Sequence, residues 1–160
     1  MHMKRTTLTR IATALAASGL AAAAWPADYQ AEFKGCTTSE VTVIGKVGDV
    51  SIGSNVTHGS VNVTGGLGDK FTHNCRVLWA ASKEGSEFTN RCVNTDKDGD
   101  QTITMTTGTP KGFEWKYLSG TGKYQGITGG GKGQTVAQYP RAGNVAASCW
   151  QGKGAFSVPR

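Results

Sequence analysis

The chain has 160 residues, with 17 Lys and Arg against 11 Asp and Glu, a formal net charge of +6, and 23 glycines. That length makes one ordinary domain with a core of its own. Three of the basic residues, Lys4, Arg5 and Arg10, precede the first acidic residue, Asp28; the remainder holds 14 basic and 11 acidic residues, a charge of +3 with no Lys/Arg cluster, which excludes nucleic-acid binding from this reading.

In chain order, residues 1–24 read as a signal peptide: a basic start, an Ala/Leu-rich run from Ile11 to Ala24, and small Ala22 and Ala24 ahead of a cut at Trp25, with a cut after Ala27 as the alternative. The apolar run is shorter than the roughly 20 residues a membrane-crossing helix needs, and no second run follows, so no transmembrane span is expected. Phe33, Lys34 and Gly35 before Cys36 do not suit a lipoprotein cut. Residues 25–160 are then a single exported domain, periplasmic or extracellular. All four cysteines lie in it, without a CxxC spacing, and an even count in an oxidising compartment points to two disulfides.

After the leader no 3.6-residue apolar period persists, and short Val/Thr-rich runs alternate with glycine-rich turns. Strands are expected at Glu40–Ile44, Ser60–Thr64, Val77–Ala80, Thr102–Met105 and Phe113–Tyr117, with closing strands at Val145–Cys149 and Ala155–Val158. Phe113, Trp115 and Tyr117 share one face of their strand and Glu114 and Lys116 the other, the period of two of a half-buried strand. Turns are expected at Gly65-Gly66, Lys83–Ser86, Asp98-Gly99, Thr109–Gly112 and Gly129–Gly131. Regularly punctuated short strands make a barrel or a sandwich. A hairpin turning at Lys83-Glu84 sets Cys75 opposite Cys92, close enough for a disulfide, and Cys36 with Cys149 follows by elimination.

Several motifs carry candidate chemistry. Asp96, Asp98 and Asp100 match the alternating carboxylates of a calcium loop, but Gln101 stands where that loop needs glycine, Thr107 where it needs a bidentate Glu, and the flanks read as strand. An acidic hairpin tip is the alternative reading, and calcium is the one cofactor that the sequence raises. Gly126–Gly133 lacks the hydroxyl residue and the helix of a phosphate-binding loop. No Gly-x-Ser-x-Gly elbow occurs; beyond the leader the histidines are His58 and His73, and His73 beside Cys75 is the pair that could activate a thiolate, against which stands a paired, exported cysteine. Trp79, Trp115, Trp150 and Tyr124 are core or pocket aromatics.

The stretch from Leu118 to Gly129, with Gly120-Thr121-Gly122, Tyr124 and Gly126, resembles the glycine-punctuated hairpin of the allene oxide cyclase and dirigent barrel superfamily; Cys92 ahead of Asp98-Gly99-Asp100 is similar to its bacterial exported members of unknown function. The resemblance implies an all-β, closed antiparallel barrel of about eight strands, calycin-like in outline, with a largely apolar interior. It transfers no catalytic residue, because its matched residues are structural.

The leading expectation is a non-catalytic barrel that holds a small apolar or amphipathic ligand, with Phe113, Trp115, Tyr117, Tyr124 and Trp79 as candidate lining. Two alternatives stand beside it: an isomerase or cyclase using the same cavity, which needs a polar group inside it, and a structural or interaction module with a weak calcium site at Asp96–Asp100.

Overall fold

The computed structural model describes residues 27–67 and 70–159; the expected signal peptide, residues 1–24, and the proposed cut at Trp25 lie outside the described residues. Among the described residues eight strands follow one another: β1 (Ala27–Val47), β2 (Val50–Thr64), β3 (Lys70–Ser82), β4 (Gly85–Asp96), β5 (Gln101–Thr109), β6 (Gly112–Gly120), β7 (Thr128–Ala142) and β8 (Val145–Val158), with a 3-10 turn, Gly122–Tyr124, between β6 and β7. Each strand is antiparallel to the next and β8 pairs back with β1, so the sheet is a closed barrel in chain order. The hairpins β1–β2, β3–β4, β5–β6 and β7–β8 turn at one end. The other end holds the remaining connections, with the start of β1 and the finish of β8.

The expected barrel is therefore observed, with longer strands than the Val/Thr runs indicated. Val145–Cys149 and Ala155–Val158 are parts of one strand, and Gly129–Gly131, expected to turn, run inside β7. Sequence reading stops at glycine because glycine has low strand propensity. Here the glycines are required by rings lying flat on the inner wall: a Cβ on Gly152 would come within 2.7 Å of the Trp115 indole, one on Gly133 within 2.6 Å of the Phe113 ring, and one on Gly35 within 2.7 Å of Trp150.

The inward residues split the interior in two. In the half away from the hairpin turns, Ala31, Phe33, Val61, Val63, Tyr124, Ile127, Phe156 and Val158 are buried together, with Phe71, Trp115 and Tyr117 packed on them. Phe33 meets Trp115 edge-on at 5.2 Å, and Tyr29 stacks on Phe156 at 5.1 Å. Fully burying a large side chain contributes about 1.5–3 kcal/mol, so this half is the main source of stability.

Outward positions mix charged residues with apolar ones such as Leu78, Val93, Ile103, Leu118 and Val136. Glu32, Lys34, Arg76, Arg91, Glu114, Lys116, Lys132 and Lys153 are all exposed, and Glu114–Lys132 and Glu32–Lys153 pair across neighbouring strands, each at 2.7 Å. Among the described residues no helix is long and apolar enough to cross a membrane. Both expected disulfides form, Cys75–Cys92 between β3 and β4 and Cys36–Cys149 across the β1–β8 seam.

Candidate functional site

Toward the hairpin turns the same inward positions carry smaller and more polar side chains: Thr37 and Ser39 on β1, Asn55 and Thr57 on β2, Thr106 on β5, Thr135 on β7 and Ser148 on β8. An eight-stranded barrel is just wide enough for large side chains to fill, so short ones leave space. The result is an open cavity of about 410 Å³. Trp79, Phe88, Phe113 and Trp150 supply aromatic wall, Asn90 adds an amide, and Glu87, Gln138 and Arg141 line it with charge and polarity. Phe113 sits 6.2 Å from Phe88 and 6.1 Å from Trp150, centroid to centroid, which makes a continuous aromatic arc.

Hydrogen bonds hold the polar lining in place. The Trp79 indole N–H donates to Asn55 Oδ1 at 2.9 Å, and the Ser39 and Thr57 hydroxyls meet at 2.8 Å. His73 and Cys75 also line the cavity. Asn94 donates its amide to the hydroxyls of Thr102 (3.2 Å) and Thr104 (3.4 Å), which turns its Oδ1 toward His73. His73 Nδ1–H therefore donates to Asn94 Oδ1 at 2.6 Å, and the lone pair of Nε2 faces Cys75 Sγ at 3.0 Å. Burial pushes the His73 imidazole below its usual range, against the pull of the Asn94 hydrogen bond, so the ring is neutral at pH 7.

Of the five aromatic candidates, Trp79 and Phe113 line this cavity, and the other three belong to the packed half. Trp115 covers Gly152 and Gly154, and Tyr117 packs edge-on against Phe156 at 5.8 Å, its hydroxyl held protonated by burial. Tyr124 is fully buried and plugs the end opposite the hairpin turns. Asn55, Asn90 and Phe88 escaped the sequence reading. Their only signal is the period of two, which sets Phe88 and Asn90 on the same face as Cys92.

The acidic turn lies at the plugged end. Asp96 is buried; its Oδ1 accepts the backbone N–H groups of Asp98 (2.9 Å) and Asp100 (3.0 Å), and its Oδ2 accepts the Tyr124 hydroxyl (3.1 Å) and the Lys123 ammonium (2.5 Å). Asp98 takes Lys123 and Lys97, each at 2.7 Å, while Asp100 Oδ2 accepts the Lys123 backbone N–H at 3.2 Å. Two carboxylates thus converge on an ammonium that the chain itself supplies. Burial pushes the Asp96 carboxyl up, but Lys123, the backbone N–H groups and Tyr124 together hold it below its usual range. Lys123 and Lys97 bring Asp98 down to about 2, and Asp96, then Asp98, raise Lys123. Gly122, at φ +51°, leaves no room for a Cβ beside Asp100, which accounts for the second glycine of Gly120-Thr121-Gly122.

No family model matches the chain, and no curated protein matches it. Among solved structures it is similar to that of a pterocarpan synthase dirigent protein, with a TM-score of 0.52 and 10% identity over 96% of this chain and 100% of that chain. At this identity the likeness is one of fold: the chain shares the closed-barrel fold of that protein. Ail, the attachment invasion locus protein of Yersinia pestis, aligns with 82% of this chain and 98% of that chain at 6% identity and a TM-score of 0.14, which is no likeness of fold.

Proposed function

We propose that this barrel binds a small amphipathic molecule in its open half and releases it unchanged. The observation that carries the reading is the division of one interior into a packed half and an open cavity of about 410 Å³ with an aromatic arc on its wall. Ligand sites are concave, aromatic and of this order of volume, with a few placed polar groups. Those polar groups favour an amphipathic guest over a wholly apolar one, because covering the Asn55, Asn90 and Thr57 side chains with hydrocarbon costs about 1–3 kcal/mol for each hydrogen-bonding group left unpaired. The two disulfides fit an exported protein, periplasmic or extracellular. A second reading, an isomerase or cyclase, is favoured by one observation: His73, neutral and ionisable, lines the cavity.

The test uses the amphipathic dye 1-anilinonaphthalene-8-sulfonate and the emission of Trp79 and Trp150, both on the cavity wall. Saturable quenching of tryptophan emission is expected, with affinity falling at least tenfold in Thr57→Trp, where an indole fills the cavity. Near-UV circular dichroism must show both proteins tightly packed, since loosened proteins also bind this dye. Equal affinity in the filled variant would remove the binding reading. Native mass spectrometry of protein purified from an oxidising compartment then separates the two functions: a carried molecule recovered unchanged after incubation supports binding, and a converted one supports the isomerase.

A further inference from the structure

His73, Cys75 and Cys92 form a cluster that ligand binding in the cavity does not use. His73 and Cys75 stand two apart on β3 and so face the same way, and Cys92 of β4 lies directly opposite Cys75, with Cα atoms 4.1 Å apart. Their three ligating atoms lie within 4.8 Å of one another. We propose that reduction of the Cys75–Cys92 disulfide uncovers a metal site, in which the two thiolates and His73 Nε2 hold a divalent ion of the Zn²⁺ class with its fourth position open to the cavity.

Distances support this. In a tetrahedral zinc site with Zn–S of about 2.3 Å and Zn–N of about 2.0–2.1 Å, neighbouring ligand atoms stand about 3.5–3.8 Å apart. Nε2 already lies 3.0 Å from Cys75 Sγ and 3.7 Å from Cys92 Sγ. The Cys92 distance already fits, and reduction frees Cys75 Sγ to move away from both Cys92 Sγ and Nε2 by the amount the site needs. The imidazole is oriented as a ligand is: Nδ1–H is held by Asn94 Oδ1, Asn94 is held in turn by Thr102 and Thr104, and Nε2 is left bare on the side of the sulfurs.

Charge selects the ion. Cys75 is 4% exposed and Cys92 1%, so a net charge there is expensive. Two thiolates and a neutral imidazole cancel a divalent ion, whereas monovalent copper would leave one uncompensated negative charge. Three protein ligands beside a cavity leave the fourth position accessible to water or a guest.

The redox step balances with a dithiol as reductant. Its two thiols give up two electrons and two protons and close to a cyclic disulfide, while Cys75 and Cys92 become thiols. The metal then displaces both thiol protons into solvent. Disulfide and metal site are alternative states of the same two sulfurs.

The test is titration of Co²⁺ and then Zn²⁺ into the full chain carrying Cys36→Ser and Cys149→Ser, reduced with a dithiol and moved into a phosphine reductant. One Co²⁺ per chain is expected, with thiolate-to-cobalt charge-transfer absorption and the intense visible bands of a tetrahedral ion, all erased by Zn²⁺. His73→Ala should weaken binding at least tenfold, and Asn94→Ala by about tenfold. The oxidised protein should give no bands. If the reduced chain unfolds without metal, the titration is read instead as recovery of the β-sheet circular dichroism on adding Zn²⁺. Absence of both the cobalt bands and any zinc-driven recovery, or an affinity unchanged in His73→Ala, would overturn the site.

Discussion

Trp79, Phe113, Trp115 and Trp150 on the inner wall each lie against glycines of other strands, and this contact decides which glycines can change. Gly152 is closed on two sides: a Cβ there would sit 2.7 Å from the Lys132 carbonyl oxygen and 2.7 Å from the Trp115 ring. Gly152→Ala should cost about 1–3 kcal/mol through overpacking. Gly112, at the start of β6, meets nothing within 4 Å, and Gly112→Ala should stay within about 0.5 kcal/mol of the parent. Urea unfolding of the two variants checks this, and similar losses in both would contradict the pairing. The inward aromatics were legible at this scale, because Phe113, Trp115 and Tyr117 alternate with Glu114 and Lys116. The role of the glycines was not, because the ring that requires Gly152 lies 37 positions earlier in the chain.

Among the elements, the β4–β5 turn shows how a local pattern is completed from a distance. Its carboxylates and its Asp98-Gly99 corner can be read directly, and their spacing suggested calcium. Beside Asp96 and Asp98 stands Lys123, delivered by the glycine-punctuated β6–β7 connection. Asp98 drops from the ordinary carboxylate value to about 2 on folding, and Asp96 shifts the same way. A depressed carboxyl contributes stability that is fully present above about pH 4 and is lost as pH falls toward about 2. The thermal midpoint should therefore change little from pH 8 to 5 and fall steeply below 4. Lys123→Met should lower the midpoint at pH 7 and flatten that acid limb; an unchanged limb would show that other carboxylates govern acid unfolding.

For the whole molecule, closure is the main event. The β1–β8 seam joins the two ends of the described chain, and Cys36–Cys149, 113 residues apart in sequence, staples it. In the chain-entropy account a loop of that length is worth up to about 4–5 kcal/mol, against about 3 for the 17-residue separation of Cys75 and Cys92. Removing the seam disulfide by Cys36→Ala with Cys149→Ala should thus cost more than Cys75→Ala with Cys92→Ala, read by chemical unfolding; the reverse order would mean that cavity-wall packing around Cys92 outweighs the staple. The sequence by itself determined that the protein is all β, that its chain is punctuated into short-turned strands, that Cys75 faces Cys92 across a hairpin, and that Phe113, Trp115 and Tyr117 point inward. These follow from period, turn chemistry and hairpin register, all of which act between residues close in the chain. Only the tertiary structure decided which inward aromatics line space and which fill it, that Lys123 neutralises the acidic turn, and that His73 presents a bare nitrogen to the Cys75–Cys92 sulfurs. Those depend on what stands across the barrel, where closure brings together side chains whose separation along the chain leaves no pattern to read.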